Sequence, residues 1–242
     1  TIKCIRNLAL IKEAARQVGV DDNCYLWSPM TVLVAGRPWL HRMAYADYAA
    51  YEQRLSTACY IVIAYLSGMR DGEVRELGRD CAFTEPTDDG RTRHKLRGHV
   101  YKDREPSGED AEWVVLEIVH QAVTALQQIN DDPTHLFGFT LGTKYKLMWD
   151  IPKKLCQFRD HCNELFSGPG APFIPNDIRP ASPGDAGQDS APGLPWTFNT
   201  LQFRRTLAWH IAHQPFGVVA GAKQYKHATI EMFEGYAGTS AS

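Results

Sequence analysis

The sequence lacks the features that mark membrane and secreted proteins. Its longest apolar run, Ala58 to Leu66, is far shorter than the roughly 20 residues that a membrane-spanning helix needs. The first residues show no positively charged segment followed by a long apolar stretch, so they do not resemble a signal peptide. We therefore expect a cytoplasmic protein that has no membrane partner.

Cysteine is sparse, and its spacing matches no common type of site. The six cysteines are scattered over the chain, without a Cys-x-x-Cys pair or a Cys/His pattern typical of zinc ligands. A small disulfide-stapled fold is excluded as well, because 242 residues are enough to bury a sizeable core. We predict reduced thiols and no metal site.

The chain also lacks the excess of positive charge that is common in proteins that bind nucleic acids. It carries 26 Lys and Arg against 28 Asp and Glu, which gives a net charge of −2. Bulk charge does not exclude a local basic patch, however, and the segment from Arg91 to Arg104 is rich in Lys and Arg. The alternative interpretation of this segment is a solvated hairpin.

The hydrophobic pattern predicts helices on either side of a short region of strands, with no internal repeat. Residues 1–36 are interpreted as a linker or the remnant of a preceding domain, and residues 37–242 as one domain with a flexible loop at about 167–195. The fold class is therefore α+β and mostly α-helical, with helices around a small three-stranded antiparallel sheet. The predicted strands are Cys81–Phe83, Lys95–Tyr101 and Trp113–Leu116, with turns at 86–90 and 103–110. The predicted helices are Leu8–Val18, Met43–Arg54, Leu55–Leu66, Asp71–Leu77, Ile118–Ile129, one or two within Lys144–Phe166, Thr200–His213, Phe216–Tyr225 and Ile230–Glu234.

Two short segments in the first half of the chain place cations where an anion could bind. Residues 67–74, Ser-Gly-Met-Arg-Asp-Gly-Glu-Val, follow a predicted buried helix that ends at Gly68. Arg70 stands at the mouth of the next short helix, where Glu73 can orient its guanidinium towards an anion. Lys102 lies in the turn after the second strand and can reach into a groove. Taken alone, each segment is also explained by a helix cap or a surface charge.

Two further segments near the C-terminus combine cations with a histidine and a tyrosine. Arg204 and Arg205 open a predicted helix, and the N-terminus of a helix favours phosphate. Their side chains point about 100° apart, so only one of them can face a given ligand. His227 precedes Tyr236 by nine residues, and this tyrosine comes just after Gly235, which can end a helix.

The four segments, in this order, resemble the signature of the catalytic domain of tyrosine recombinases, the phage-integrase family. That family carries Arg, Lys, His-x-x-Arg, His or Trp, and Tyr, and its first segment is typically Thr-Gly-Leu-Arg-x-x-Glu-Leu. Residues 67–74 are similar to that segment. The family's spacing from the second arginine through the histidine to the tyrosine matches Arg204, His227 and Tyr236, and it selects Arg204 over Arg205. The resemblance covers roughly residues 38–242.

The resemblance implies a role for each matching residue. Tyr236 attacks a DNA phosphate and forms a 3′-phosphotyrosyl link, while Arg70 and Arg204 stabilise the developing negative charge. Lys102 protonates the leaving 5′-oxygen, and His227 hydrogen-bonds the phosphate or assists the tyrosine. Neither a metal nor another cofactor is needed, because the two arginines supply the electrostatic stabilisation.

The same resemblance implies the partners. The substrate is double-stranded DNA, on which four protomers assemble, and a monomer in the absence of DNA is the alternative. Contacts with DNA are predicted for Lys95, Arg97, Arg205 and Lys226.

One position departs from the family's pattern. His-x-x-Arg would place a histidine at position 201, three residues before Arg204, but the chain has Leu201 there. A leucine side chain cannot accept a proton or donate a hydrogen bond to a phosphate. His210 is a poor substitute because it lies on another part of the helix. A neighbouring group or water takes over the role, or catalysis is slow.

Three alternatives remain open at this stage. A type IB topoisomerase has similar chemistry and would relax supercoiled DNA without a specific site. A DNA-binding module with impaired catalysis would account for Leu201. A helical domain whose matches arise by chance is the third alternative, which the ordered set of five positions disfavours.

Overall fold

The computed structural model describes most of the chain, which forms two compact units, residues 1–51 and 52–242. The described residues are 8–19, 25–26, 33–34, 36–38, 43–101, 108–141, 144–147, 150–178 and 193–238. The first unit contains the predicted helix α1 (Leu8–Val18) and two short antiparallel pairs. These pairs are β1 (Tyr25–Leu26) with β4 (Met43–Ala44), and β2 (Leu33–Val34) with β3 (Arg37–Pro38).

Helix α2 (Tyr48–Ser67) is a single continuous helix, and the predicted division at Arg54 is wrong. Residues 43–44 form a strand and Tyr45–Asp47 a 3-10 turn, so the helix also begins later than predicted. The part from Leu55 onwards is apolar on nearly every side, which suits a helix that packs in the core. Gly68, with a φ of 70°, ends the helix as predicted.

The predicted three-stranded antiparallel sheet is confirmed. Its strands are β5 (Ala82–Pro86), β6 (Thr92–Val100) and β7 (Glu109–Val115), in the order β5-β6-β7. Leu96 in the central strand pairs with Ala82 on one side and Trp113 on the other. Because successive side chains alternate between the two faces, one face is apolar and buried while the other presents charged residues.

The segment before the fifth helix was predicted to be helical, and this prediction is wrong. Lys144–Leu147 is strand β9, which pairs with β8 (Gly138–Leu141) in a hairpin. Its residues Lys-Tyr-Lys-Leu alternate polar and apolar character, which suits a strand better than a helix. Helix α5 begins only at Ile151, with Pro152 in its first turn as predicted.

The remaining helices match the prediction closely, except for the last one. It was predicted to end at Glu234, but it continues through Gly235 and ends at Gly238, whose φ is 74°. Tyr236 therefore stands inside this helix instead of after it. The remaining helices are α3 (Asp71–Arg75), α4 (Glu117–Ile129), α6 (Thr200–Ala212), α7 (Gly217–Gln224) and α8 (Ile230–Ala237).

Two hydrophobic cores stabilise the second unit. The larger core lies between α2, α3, α4 and the buried face of the sheet, and Trp113, Tyr60 and Leu96 are fully buried in it. The smaller core joins α6, α7 and α8 around Tyr225 and Phe233. Gly221 permits the close contact of α7 with α8, because a side chain at this position would overlap the ring of Phe233.

Two predicted loops lie partly outside the described residues. In the loop predicted at 167–195, the described residues contain no helix or extended strand. In the turn predicted at 103–110, residues 103–107 are not described, and Glu109 and Asp110 belong to β7. The four cysteines in the described part of the chain are free thiols. None of the helices in that part combines the length and apolar character required to traverse a bilayer.

Candidate functional site

Arg204 lies on the buried side of α6, near the start of the helix. The helix begins at a reciprocal cap, in which Asn199 Oδ1 accepts from the Gln202 backbone N–H and Gln202 Oε1 accepts from that of Asn199. This cap sets the first turn and directs the side chain of Arg204 into the protein. Arg204 is only 3% exposed, which is unusual for a residue that is always charged.

The buried guanidinium of Arg204 is hydrogen-bonded to neutral acceptors, and the charges of Arg70 and Glu73 act on it from a greater distance. It donates hydrogen bonds to the backbone oxygen of Gly68 and, over 3.1 Å, to that of Tyr225, and its Nη2 lies 3.4 Å from Nε2 of His227. Among the described residues, no carboxylate stands within ion-pair distance of Arg204. Burial lowers the pKa of Arg204, and the charge of Arg70 lowers it further. A buried cation without its own counterion is costly and favours the binding of an anion.

Arg70 is placed by the sharp end of α2 and by an acidic neighbour. It follows Gly68 by two residues, and it caps the start of α3 in an extended conformation. The buried carboxylate of Glu73 accepts from both the backbone N–H and the Nη1 of Arg70, each over 2.7 Å. The two contacts hold the arginine in one orientation while leaving the outer part of its guanidinium accessible.

His227 is positioned by the way in which α7 ends. The backbone N–H of His227 donates to the carbonyl of Ala222 over 3.0 Å, and that of Lys226 donates to Lys223 over 3.3 Å. These two bonds form a Schellman-like motif, in which Lys226 takes the left-handed conformation, with a φ of 57°. The motif reverses the chain at the helix end and places His227 beside Arg204.

Tyr236 completes the group from α8. The centre of its ring lies 5.3 Å from Cζ of Arg204 and 5.6 Å from the centre of the His227 ring. Its hydroxyl oxygen is buried and forms no hydrogen bond within the part of the chain that the structure describes. An unsatisfied buried hydroxyl is unfavourable, so this oxygen is suited to an interaction with a bound ligand.

Four of the five predicted catalytic residues therefore lie together: Arg204, His227 and Tyr236 contact one another, and Arg70 is near enough for its charge to lower the pKa of Arg204. The fifth, Lys102, lies outside the described residues. Leu201 is 58% exposed on the first turn of α6, so the position of the expected histidine faces away from the core. Within the described residues, no group of three or more His, Cys, Asp and Glu side chains could hold a metal ion.

Two of the cations predicted to contact DNA lie on the charged face of the sheet and are paired with carboxylates. Lys95 lies between Glu85 and Glu112, at 2.7 and 2.9 Å. The hydrogen bonds with these two carboxylates raise the pKa of Lys95. Arg97 bonds to the carboxylate of Asp80 over 3.0 Å and to its backbone oxygen. These partners compensate the positive charge that was expected to attract DNA.

The other two cations predicted to contact DNA differ in their surroundings. Arg205 is exposed, and its Cζ lies 5.7 Å from the centre of the Tyr236 ring. Lys226 donates to the backbone oxygen of Glu112 and lies above the ring of Trp113, 5.4 Å from its centre. Burial lowers the pKa of Lys226.

Sequence reasoning missed one residue in the centre of this group. Tyr225 is fully buried between Arg204, His227 and Tyr236, although the sequence predicted it only as the last residue of a helix. The available signal was a polar aromatic residue at the end of an amphipathic helix, which predicts burial but no particular partner.

No family model matches the chain, and no curated protein matches it at a significant level.

Proposed function

We propose that the chain is the catalytic domain of a tyrosine recombinase, which cleaves and rejoins double-stranded DNA through a 3′-phosphotyrosyl link at Tyr236. The observation that carries the proposal is the buried guanidinium of Arg204, which lacks a carboxylate partner among the described residues and lies beside Tyr236. A phosphodiester supplies the missing negative charge. It also supplies the electrophile that a tyrosine hydroxyl can attack.

The proposed reaction is an exchange of phosphodiester bonds. The Tyr236 oxygen forms a bond to phosphorus, and the bond from phosphorus to the 5′-oxygen of the next nucleotide breaks. Two guanidinium groups, those of Arg70 and Arg204, stabilise the negative charge that accumulates on the non-bridging oxygens. The free energy of the broken bond is kept in the phosphotyrosine, so attack by a 5′-hydroxyl reverses the reaction without ATP.

The proton balance requires one acceptor and one donor. Tyr236 loses a proton when it attacks, and we assign its acceptance to His227, whose ring is close to that of the tyrosine. Leu201 cannot take this role. The leaving 5′-oxygen gains a proton, and the resemblance to the family assigns its donation to Lys102.

The proposal also covers the assembly. By resemblance, four protomers bind two DNA sites and exchange strands in turn, in the cytoplasm of the host. Arg205 is the most accessible cation beside the site, so we expect it to contact the DNA backbone directly. Lys95 and Arg97 must first leave their carboxylate partners.

A trapped covalent adduct tests the proposal without knowledge of the target sequence. The protein is incubated with a pool of nicked duplexes that are randomised around the nick. Cleavage near the nick releases a short 5′-hydroxyl strand, which diffuses away and leaves the enzyme attached to DNA. We expect a denaturant-resistant adduct that maps to Tyr236 by peptide mass spectrometry.

The matched control for this experiment is a second tyrosine. Tyr236→Phe should form no adduct, whereas Tyr101→Phe, which removes a partly exposed hydroxyl at the end of β6, should behave like the unmodified protein. An adduct that persists in Tyr236→Phe would refute the proposal.

A second candidate is a DNA-binding module with impaired catalysis, and the exposed Leu201 favours it. The substitution Leu201→His restores the family's residue, and Leu201→Ala serves as its control. If only Leu201→His forms the adduct while all three proteins bind DNA equally, the second candidate is correct. Adduct formation by the unmodified protein excludes it.

A further inference from the structure

Tyr225 and Arg204 are joined by two reciprocal hydrogen bonds. The hydroxyl of Tyr225 donates to the backbone oxygen of Arg204 over 2.7 Å, and the Arg204 side chain donates to the backbone oxygen of Tyr225 over 3.1 Å. Burial raises the pKa of Tyr225, so its hydroxyl remains protonated and remains a donor. The pair ties the start of α6 to the end of α7.

The ring of Tyr225 also supports the guanidinium from one side. Cζ of Arg204 lies 4.3 Å from the centre of the ring, which is within the range of a cation–π interaction. The ring also packs closely against Gly68, the residue that ends α2. A Cβ atom added at Gly68 would lie only 2.7 Å from Cε2 of Tyr225. The rings of Tyr236 and Phe233 lie 6.0 and 5.2 Å away. One side chain thus contacts the elements that supply both arginines, the histidine and the tyrosine.

We infer that Tyr225 is a positioning residue, which holds the guanidinium of Arg204 in the orientation that the phosphate requires. The inference rests on the proposed function for its catalytic consequence, and on geometry alone for the positioning. An arginine side chain has four rotatable bonds, and its contribution to a transition state depends on their being fixed before the reaction. The stacked ring and the backbone acceptor restrict the guanidinium to one plane and one direction.

The catalytic test compares two substitutions at Tyr225 with one at an equally buried tyrosine. Tyr225→Phe removes only the hydrogen bond to the backbone oxygen of Arg204, and Tyr225→Leu also removes the stacked ring. Tyr60→Phe is the control, because Tyr60 is fully buried and its hydroxyl donates to Asp71 instead of Arg204. The rate of adduct formation is measured on the nicked duplex pool at saturating protein, together with DNA affinity and melting temperature.

We expect the adduct to form at least about tenfold more slowly in Tyr225→Leu, because the ring that supports the guanidinium is lost. Tyr225→Phe keeps the ring and the backbone oxygen that accepts from the guanidinium, so its rate should fall less. DNA affinity should be unchanged, because the substitutions act on the chemical step. Tyr60→Phe should keep its rate even if its melting temperature falls as much. An equal rate in Tyr225→Leu and the unmodified protein would overturn the inference.

A second measurement tests the positioning without DNA. Nitrogen relaxation of the Arg204 Nε–H group reports how rigid the side chain is, and Arg205 on the exposed face of the helix is the internal reference. We expect a rigid Arg204 in the unmodified protein and a mobile one in Tyr225→Leu. A side chain that stays equally rigid overturns the inference. If it becomes mobile while the unmodified protein forms no adduct, Tyr225 positions Arg204 and the proposed function is the part that fails.

Discussion

Arg204 lies in the core and Lys95 on the outer face of the sheet of the same unit, and the two cations differ in what neutralises them. Lys95 is 15% exposed and lies between two carboxylates on the outer face of the sheet. Arg204 is buried between helices with no carboxylate at ion-pair distance among the described residues, and its pKa is lowered. The comparison shows that the number of basic residues in a segment says little about its affinity for an anion. The decisive quantity is whether the fold has already supplied a counterion.

The difference follows from the type of secondary structure. On one face of a β-sheet, the long side chains of diagonal neighbours on adjacent strands reach one another, and Lys95 meets Glu85 and Glu112 in this way. The start of α6 offers Arg204 backbone oxygens and other side chains of the helical core, which satisfy its hydrogen bonds without cancelling its charge. The sheet face is therefore stable without a ligand, and the helical group gains most from one.

The largest expected effect comes from removing the uncompensated charge. Arg204→Ala should lower the rate of adduct formation by at least about 10²-fold, since a preorganised donor to the transition state is lost. Arg97→Ala removes a compensated charge and should change the rate by less than about fivefold. Both rates are measured on the nicked duplex pool. If the two substitutions have similar effects, the distinction between the two regions has no catalytic meaning.

The next largest effect concerns the helix packing that creates the buried group. Gly221→Ala forces α7 away from Phe233 and should lower the free energy of unfolding by about 1–3 kcal/mol. Gly235→Ala is the matched control, because it lies in α8 with open space around it and should be neutral or stabilising by up to about 1 kcal/mol. Chemical denaturation measures both. Equal stabilities would show that the contact between α7 and α8 is not tight.

A smaller effect is expected when a counterion is removed from the sheet face. Glu112→Gln leaves Lys95 with one carboxylate, so the affinity for a random duplex should rise a few-fold, and the dependence on salt should steepen by about one phosphate contact. Asp88→Asn, which removes a charge from the exposed turn after β5, is the control. Binding is measured by fluorescence anisotropy over a range of salt concentrations. An unchanged affinity would show that DNA does not reach this face.

The smallest effect is the loss of folding stability in acid that we expect from Asp132, a buried carboxylate stabilised by backbone N–H donors. Burial alone would raise the pKa of Asp132, but hydrogen bonds from the backbone N–H groups of His135 and Thr134 outweigh it and hold the pKa below its usual value of 3.8. The ionised carboxylate therefore stabilises the fold above pH 3.8, and this contribution is lost as the pH falls through the lowered pKa.

The free energy of unfolding, measured from about pH 5 to pH 2, should therefore fall less steeply in Asp132→Asn than in the unmodified protein. The asparagine keeps an oxygen that can accept these bonds but has no proton to gain. Parallel curves for the two proteins would contradict the assignment to Asp132.

Local patterns predicted those parts of the fold that depend on neighbours in the chain. The alternation around Leu96 predicts a half-buried strand, and the apolar run before Gly68 predicts a buried helix and its end. The segment 144–147 was predicted wrongly because four residues are too few to distinguish a helical period from a strand. The end of α8 was missed because Gly235 resembles a stop signal, although a helix tolerates a glycine in its interior.

The candidate site divides in the same way. The spacing of Arg204, His227 and Tyr236 was visible in the sequence, since it reflects two short helices with a fixed turn between them. The sequence did not reveal that Tyr225 supports Arg204, or that Arg204 contacts Gly68. Gly68 and Arg204 lie 136 residues apart, and no local pattern reports such a contact.

The order of the residues along the chain sets which groups are available: two arginines, a histidine and a tyrosine, each near a helix end. Their packing in three dimensions selects which of the many cations keeps its charge uncompensated. Charge compensation depends on distances of a few ångströms between residues that are remote in the chain. Packing sets these distances, by pairing Lys95 with Glu112 across two strands and by enclosing Arg204 among helices where no described carboxylate comes within ion-pair distance.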